Sequence, residues 1–206
     1  MTKAAPRAKK RLDELRAEFP AIGIGTGETL YRSHQGSLGA IYYCTCGNCR
    51  FDPPPSLRAS YGSCCAARDP EIAVLEHLAG LTIVPEDWVA RQAISSISPR
   101  RHHKIADLQS STNYGKWGVD GDLQAGGDRG LTQGWGAAFY KSEFHGVQHA
   151  SRRDPSLSHR CIAFYGAPGA HGEELSCDST EPLSDGLLNT LAFKFGIQVF
   201  PKAPLA

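Results

Sequence analysis

The chain has 206 residues and a formal net charge of +1, with 22 lysines and arginines against 21 aspartates and glutamates. This length can bury one sizeable core, so a single domain with a short extension is the simplest organisation. The balanced charge lacks the basic field typical of nucleic-acid binding, so we expect no nucleic-acid partner. No apolar run reaches the roughly 18 residues that span a bilayer, and no signal-peptide pattern is present, so we expect a cytoplasmic protein without a membrane partner.

Residues 1–20 begin basic and become amphipathic at Leu12 and Leu15. This pattern predicts an N-terminal extension that packs on the domain as a frayed helix. A docking arm for a partner is the alternative. Residues 21–206 are predicted to form the single domain.

The domain opens with a glycine-rich stretch, IGIGTG, at residues 22–27. It does not match a dinucleotide-binding fingerprint, because Glu28 stands where glycine is required, and we expect a flexible turn. Residues 29–33, TLYRS, then predict a short strand. Arg32 on this strand could hold a phosphate with both nitrogens of its fork, beside the stacking face of Tyr31.

The seven cysteines, an odd number, are expected to be free thiols rather than a disulfide framework. Residues 44–49, CTCGNC, followed by Cys64 and Cys65, raise the question of zinc. The C-x-C-x2-C spacing lacks the paired C-x2-C of a structural zinc site, and adjacent cysteines rarely bind one metal together. We therefore predict no metal site.

A short buried strand over residues 61–67 is predicted to lead into a helix that Asp69 can cap, Pro70 can start and Gly80 can end. Glu76 lies at the margin of the apolar face of this helix. A glutamate beside the core is partly desolvated, and a cationic or sugar partner could give it a functional role. A solvated glutamate on the helix edge is the alternative.

A second helix is predicted from about Pro85 to Ile94, and residues 95–130 are predicted to be mainly irregular. Residues 131–140, LTQGWGAAFY, predict a helix whose two glycines would permit close approach of another backbone or of a ligand. Its apolar face would consist of Leu131, Trp135, Ala138 and Phe139.

A strand is predicted over residues 146–150, and it ends in Ser151, Arg152 and Arg153. A serine and two arginines at a strand end are residue types that form anion pockets. The irregular alternation of strands and helices favours an α+β fold. The remaining predicted elements are a strand at 161–165, a loop rich in Gly, Pro and Ser, a helix at 184–193 and a strand at 197–200.

The order of these elements resembles the RES domain family, which is named for an arginine, a glutamate and a serine. The three positions fall on Arg32 in TLYRSH, Glu76 in ARDPEIAVLE and Ser151 in GVQHASRRDP. The resemblance covers about residues 28–168. Four further segments keep the family order: RFDPP at 50–54, YGSCCAA at 61–67, TQGWGAAFY at 132–140 and RCIAFYG at 160–166.

The resemblance implies an ADP-ribosyltransferase-like fold, a split mixed β-sheet core with surrounding helices, with residues 28–33 as its first core strand. It also implies an enzyme that breaks the nicotinamide–ribose bond of NAD by phosphorolysis or hydrolysis. Many members are toxins neutralised by an antitoxin that occludes the cleft. NAD would be the substrate rather than a resident cofactor, and inorganic phosphate would be a co-substrate of phosphorolysis.

The resemblance also assigns roles to individual residues. Glu76 would stabilise the positive charge that develops on the ribose, Arg32 would clamp the pyrophosphate or the ribose, and Ser151 would hydrogen-bond the nicotinamide amide or the ribose. A phosphate acceptor would be bound by Arg50, Arg152 or Arg153. The implied catalytic residues are thus Arg32, Glu76 and Ser151, and the implied NAD-binding residues are Tyr31, Arg50, Tyr61 and Arg152.

One position departs from the family pattern. Many members carry a tyrosine about eleven residues before the glutamate, where this chain has Cys65. Tyr61 lies four residues earlier, on the same face of a strand but about 13 Å away. An NAD-binding protein with impaired catalysis therefore stays open as an alternative. Transfer of ADP-ribose from NAD to a protein is the other alternative that the resemblance leaves open.

Overall fold

The computed structural model describes residues 18–201 of the chain. Most of the predicted N-terminal extension, residues 1–17, lies outside the described residues. Phe19 is buried, and its ring centroid lies 5.5 Å from that of Trp117 and 4.9 Å from that of Phe139. The packed core therefore reaches into the segment that the sequence analysis placed in the extension.

Strands and helices alternate irregularly along the described residues. The strands are β1 (Ala21–Ile24), β2 (Leu30–Gln35), β3 (Gly62–Ala67), β4 (Ile83–Pro85), β5 (Gln92–Pro99), β6 (His103–Asp107), β7 (Gly146–Ala150), β8 (Arg160–Gly166), β9 (Leu175–Pro182) and β10 (Gln198–Phe200). The helices are α1 (Pro70–Leu78), α2 (Glu86–Val89), α3 (Asn113–Trp117), α4 (Gly121–Ala125), α5 (Arg129–Lys141) and α6 (Asp185–Phe195), with a 3₁₀ turn at Pro55–Leu57. None of these helices is long and apolar enough to cross a membrane.

Eight strands form one mixed sheet in the order β1-β6-β7-β8-β3-β2-β5-β9. Neighbouring strands are antiparallel except for β6 and β7, which are parallel. Strands β4 and β10 form a separate parallel pair. The predicted α+β class, with a mixed sheet surrounded by helices, is confirmed.

The sheet is almost divided between β2 and β3. Six residue pairs join β3 to β8 and six join β2 to β5, whereas β2 and β3 share the single pair Tyr31 and Ala67. Beyond this pair the two strands diverge. The sheet is thus split into two halves that are joined at one point.

Three hydrophobic clusters hold the elements together. One packs α5 against the sheet, another lies between strands of both halves, and the third surrounds α1. Buried side chains on α1 anchor it firmly to the domain: Ile72, Ala73, Val74, Leu75 and Leu78. The position of every other residue on this helix is therefore determined by that packing.

Several predicted element boundaries are wrong. The expected turn at residues 22–27 contains β1, which pairs with β6 and precedes the strand expected to be first. The helix expected from Pro85 to Ile94 is the single turn α2, and Ile94 lies in β5. Residues 95–130, expected to be irregular, contain the end of β5, then β6, α3 and α4.

Tertiary pairing explains why β5 and β9 were not recognised as strands. Serine has a weak preference for strands, and β5 is serine-rich. In the folded chain the Ser96 hydroxyl lies 2.8 Å from that of Ser179, and the Ser98 hydroxyl lies 2.9 Å from that of Ser176. These cross-strand hydrogen bonds stabilise a pairing that no local pattern indicates.

The ends of α1 also differ in detail from the prediction. Asp69 occupies the N-cap position, but its side chain makes no capping hydrogen bond. Pro70 is the first helical residue, as predicted. The helix closes at Ala79, which adopts a left-handed conformation with φ 55°, one residue before the predicted Gly80.

Gly134 and Gly136 of α5 provide a matched pair of substitutions. A Cβ on Gly134 would meet no atom within 4 Å, whereas one on Gly136 would lie 3.2 Å from the carbonyl oxygen of Phe51 and 3.3 Å from the Tyr165 hydroxyl. Alanine favours helix over glycine by about 0.5–1 kcal/mol. We expect Gly134→Ala to raise the free energy of unfolding by that amount in urea denaturation. Gly136→Ala should be at least about 1 kcal/mol less stable than Gly134→Ala, and equal stabilisation would contradict the close packing at Gly136.

Candidate functional site

A cleft of about 520 Å³ opens where β2 and β3 diverge, and this volume is typical of ligand pockets. Its charged lining consists of five arginines and one glutamate: Arg32, Arg50, Arg129, Arg152, Arg153 and Glu76. Five positive charges minus one negative charge leave an excess of four. Such a cleft attracts ligands that carry several negative charges.

Glu76 is placed in the cleft by the packing of α1. Its neighbour Leu75 points into the core, and Glu76 is half-buried at the edge of that face. The hydroxyl of Ser151, which follows β7, donates a hydrogen bond of 2.6 Å to Oε1 of Glu76. The helix and this hydrogen bond together orient the carboxylate.

Ser151 itself lies behind the carboxylate and is 0% exposed. Its hydroxyl accepts a hydrogen bond of 3.2 Å from the backbone N–H of Arg153, and its own N–H donates to the His159 carbonyl at 3.0 Å. A serine hydroxyl has one hydrogen to donate, and here Glu76 receives it. The structure therefore does not place Ser151 in direct reach of a ligand, in contrast to the role inferred from the sequence, and the residue positions Glu76 instead.

Arg153 connects the segment that carries Ser151 to the helix that carries Glu76. Its guanidinium donates a hydrogen bond of 2.5 Å to the carbonyl oxygen of Ala79, at the negative end of α1. Burial and the neighbouring Arg152 lower the pKa of Arg153, and Glu76 opposes that shift. The sequence analysis named Arg153 only among the candidates for binding phosphate.

Arg32 lies on β2 immediately after the pair that joins the two halves of the sheet. Its guanidinium donates a hydrogen bond of 2.7 Å to the carbonyl oxygen of Cys65 on β3. Cys65 lines the cleft at the position where the family resemblance expects a tyrosine. Tyr31 also lines the cleft, and it packs against the cluster around α1.

Arg50 and His149 line another part of the cleft. Arg50 donates a hydrogen bond to the carbonyl oxygen of Leu123, and its guanidinium carbon lies 5.3 Å from the ring centre of Phe51. Nδ1 of His149 lies 2.9 Å from the carbonyl oxygen of Ala150, which assigns the ring proton to Nδ1. Burial, and then the nearby Arg50, lower the pKa of His149 to about 3, so this ring is neutral at physiological pH.

Three of the cleft arginines have an unused donor. Among the described residues, the Nε atoms of Arg32, Arg50 and Arg153 are buried and have no hydrogen-bond partner in the protein. A buried donor without a partner costs about 1–3 kcal/mol, so holding these three guanidinium groups in place lowers the stability of the chain. Phosphate oxygens match guanidinium groups in charge and geometry. The cleft therefore fits a ligand that carries phosphate groups.

The prediction that Tyr61 binds a ligand in this cleft is wrong. Tyr61 is 0% exposed, and its ring centroid lies 4.3 Å from that of Tyr140 on α5 and 5.0 Å from that of Tyr165 on β8. The residue belongs to the core cluster under α5 and is absent from the cleft lining. Tyr61 lies four residues before Cys65, which does line the cleft. Its position along the chain therefore keeps Tyr61 away from the site, although both side chains lie on the same face.

Sequence reasoning missed His77, His149 and Arg129, which also line the cleft. Nδ1 of His77 lies 2.9 Å from the Ser33 hydroxyl, and burial, followed by the charge of Arg32, lowers its pKa. The sequence feature that could have identified His77 as a cleft residue is its position directly after Glu76. Arg129 begins α5, far from the other site residues in sequence, and no local pattern indicates its place in the cleft.

Comparison with known proteins gives a family and a fold. Residues 29–184 match the family model described as RES domain. The structure is similar to a chain in the crystal structure of the M. tuberculosis MbcT–MbcA toxin–antitoxin complex, with a TM-score of 0.64, 15% sequence identity and coverage of 92% of this chain and 99% of that chain. At this identity the likeness concerns the fold. No curated protein matches the sequence.

His149 is expected to make the stability of the protein depend on pH. Its pKa is about 3 in the folded chain and roughly 6.5 when unfolded. Because the folded value is the lower one, its contribution to stability is complete above about pH 6.5 and is lost as the pH falls. Between about pH 6 and pH 4 this group should lower the free energy of unfolding by up to about 1.4 kcal/mol per pH unit.

Urea denaturation of the wild type and His149→Asn at several pH values measures this contribution. As the pH falls, we expect the free energy of unfolding to decline less steeply in the variant than in the wild type. The difference in slope should correspond to about one bound proton. Parallel declines in the two proteins would show that His149 is not held neutral by the fold.

Proposed function

The chain belongs to the RES domain family, and on this basis we propose that it consumes NAD by breaking the bond between nicotinamide and ribose. One observation carries the proposal. A single carboxylate, Glu76, is oriented by a buried serine inside a cleft whose other charged residues are five arginines. NAD combines a pyrophosphate, which suits the arginines, with a cationic nicotinamide, which suits the carboxylate.

In the proposed reaction the carbon–nitrogen bond breaks and nicotinamide leaves with the bonding electrons as a neutral base. Positive charge develops on the ribose, and the Glu76 carboxylate stabilises it electrostatically. Bound NAD would displace water from the cleft, which would strengthen this interaction. Arg32, which lines the cleft beside β3, is assigned to the pyrophosphate. Ser151 acts on the reaction through the orientation of Glu76.

The acceptor that completes the reaction is proposed to be inorganic phosphate rather than water. The pyrophosphate supplies about two negative charges, and the nicotinamide adds one positive charge. With the excess of four in the cleft, about three positive charges remain unbalanced. Arg50, Arg152 and Arg153 are available for a second anion, and its oxygen would attack the anomeric carbon of the ribose.

We further propose that the protein is a cytoplasmic toxin whose cleft is occluded by an antitoxin. The similar fold in the M. tuberculosis complex supports a toxin–antitoxin pairing. The arginine-rich lining favours an occluding segment that carries carboxylates, because these would pair with the guanidinium groups in the absence of NAD.

Substitution of Glu76 tests the reaction. Incubation with NAD should release nicotinamide, detected by chromatography or NMR, and Glu76→Gln should slow this release by at least about 10²–10³-fold while the fold is kept. Glu71→Gln is the matched control. Glu71 lies on the same helix, but its carboxylate pairs with Lys194 at 2.8 Å and does not line the cleft. Unchanged turnover in Glu76→Gln would reject the assignment.

The same assay with and without phosphate identifies the acceptor. Phosphate-dependent release with a phosphorylated ADP-ribose product supports phosphorolysis, and phosphate-independent release with free ADP-ribose supports hydrolysis. Labelled protein from adenine-labelled NAD would indicate ADP-ribosylation of a protein. NAD binding without nicotinamide release would indicate a protein that binds the dinucleotide without cleaving it.

Ser151→Ala separates positioning from direct binding. Hydrogen bonds to charged groups contribute about 1.5–3 kcal/mol, so the loss of orientation at Glu76 should lower kcat by about 10- to 100-fold. KM for NAD should stay within about twofold, because the buried serine does not reach the ligand. The exposed Ser158 gives the control variant Ser158→Ala, which should match the wild type. A raised KM with unchanged kcat would instead place Ser151 in contact with NAD.

A further inference from the structure

The loop that contains Arg50, residues 44–52, brings together two thiols and a carboxylate. The ligand atoms of Cys44, Cys46 and Asp52 lie within 4.8 Å of one another. Sγ of Cys46 is 2.9 Å from Sγ of Cys44 and 3.4 Å from Oδ2 of Asp52. The sequence argument against zinc considered cysteine spacing alone, and the fold adds an oxygen ligand that the spacing does not reveal.

The backbone of this loop is directed at the sulfur atoms. The N–H of Cys46 donates to Sγ of Cys44 and the N–H of Asn48 donates to Sγ of Cys46, each at 3.3 Å. Gly47, between the two donors, has φ 80°, a conformation that glycine adopts without strain. Burial and the neighbouring Cys46 thiol raise the pKa of Cys44 to about 12, and the N–H of Cys46 opposes that rise. Metals bind the thiolate form, so a metal ion would have to displace the thiol proton.

Asp52 is the third candidate ligand. It is 0% exposed, and the ion pairs found among the described residues do not include it. Its carboxylate accepts hydrogen bonds from the N–H groups of Gly47 and Cys49 and from the Ser63 hydroxyl. Fully buried aspartates are rare unless they are paired or coordinate a metal.

We propose that Cys44, Cys46 and Asp52 bind a zinc ion, with the fourth tetrahedral position open to solvent. Zinc binds sulfur at about 2.3 Å and carboxylate oxygen at about 2.1 Å, so tetrahedral geometry separates a sulfur from an oxygen by about 3.6 Å. The 3.4 Å between Cys46 and Asp52 is close to this value. The two sulfurs must move apart to about 3.8 Å, which rotation of the exposed Cys46 side chain permits. Binding releases the two thiol protons to solvent.

The site lies outside the cleft, but its loop leads into the cleft wall. Cys49 and Arg50, between Cys46 and Asp52 in sequence, both line the cleft. A bound zinc would hold the segment that presents Arg50, and it would stabilise the folded chain by mass action. The inference concerns a second site and does not depend on NAD cleavage.

Cobalt is the spectroscopic probe for this site. The full chain, reduced and freed of metal with a chelator, is titrated with Co²⁺ in the absence of NAD. We expect saturation at one ion per chain, with a sulfur-to-cobalt charge-transfer band that Zn²⁺ abolishes by displacement. Zinc should also raise the midpoint of thermal unfolding. Cys46→Ser should weaken binding by at least about 100-fold, because loss of outer-shell partners alone costs about 10–100-fold.

Two control variants define the ligands. Cys177 is exposed on β9, and Cys177→Ser should bind Co²⁺ as the wild type does. Cys49 shares the loop, but its thiol hydrogen-bonds with Cys65, so Cys49→Ser should also keep the spectrum. No saturable spectrum, or one unchanged by Cys46→Ser, would overturn the site. Loss of the spectrum in Cys49→Ser would overturn the proposed set of ligands.

Discussion

The single residue pair that joins β2 to β3 is the constraint on which the site depends. Tyr31 and Ala67 keep the two halves of the sheet together, and the absence of further pairs leaves backbone acceptors on β3 exposed to the gap. The carbonyl of Cys65 is satisfied by the Arg32 guanidinium in place of a strand amide. The divergence of β2 and β3 therefore creates the cleft, and it also leaves the carbonyl that orients Arg32.

The packing of the fold fixes the positions of Glu76 and Arg153 in the cleft. Glu76 depends on α1, whose apolar face is buried, and on Ser151, whose hydroxyl is committed to it. Arg153 fastens the end of that helix to the segment after β7. Because each group is fixed before a ligand arrives, little ordering remains to be done on binding, which favours both affinity and electrostatic stabilisation of a developing charge.

The sequence predicted correctly the helices and strands that have a clear pattern in their own residues. The apolar spacing of α5 and the proline at the start of α1 were sufficient to predict those helices, and β7 and β8 were also predicted as strands. Strands β5 and β9 were missed because serine pairs across strands stabilise them, and Tyr61 was misplaced because distance along a strand does not tell which end opens into the cleft. The Asp52 carboxylate beside two thiols was invisible to an analysis of cysteine spacing.

The ordered set of motifs along the chain, with an arginine, a glutamate and a serine among them, determined the family, and the irregular alternation of strands and helices indicated the α+β class, because both depend on residue types in a fixed sequence of elements. Tertiary structure alone decided what each side chain contacts. It buried Ser151 behind Glu76, removed Tyr61 to the core and gathered Arg129 and His149 from distant segments. Such contacts arise where elements far apart in the chain pack together, and no local pattern records which atoms then meet.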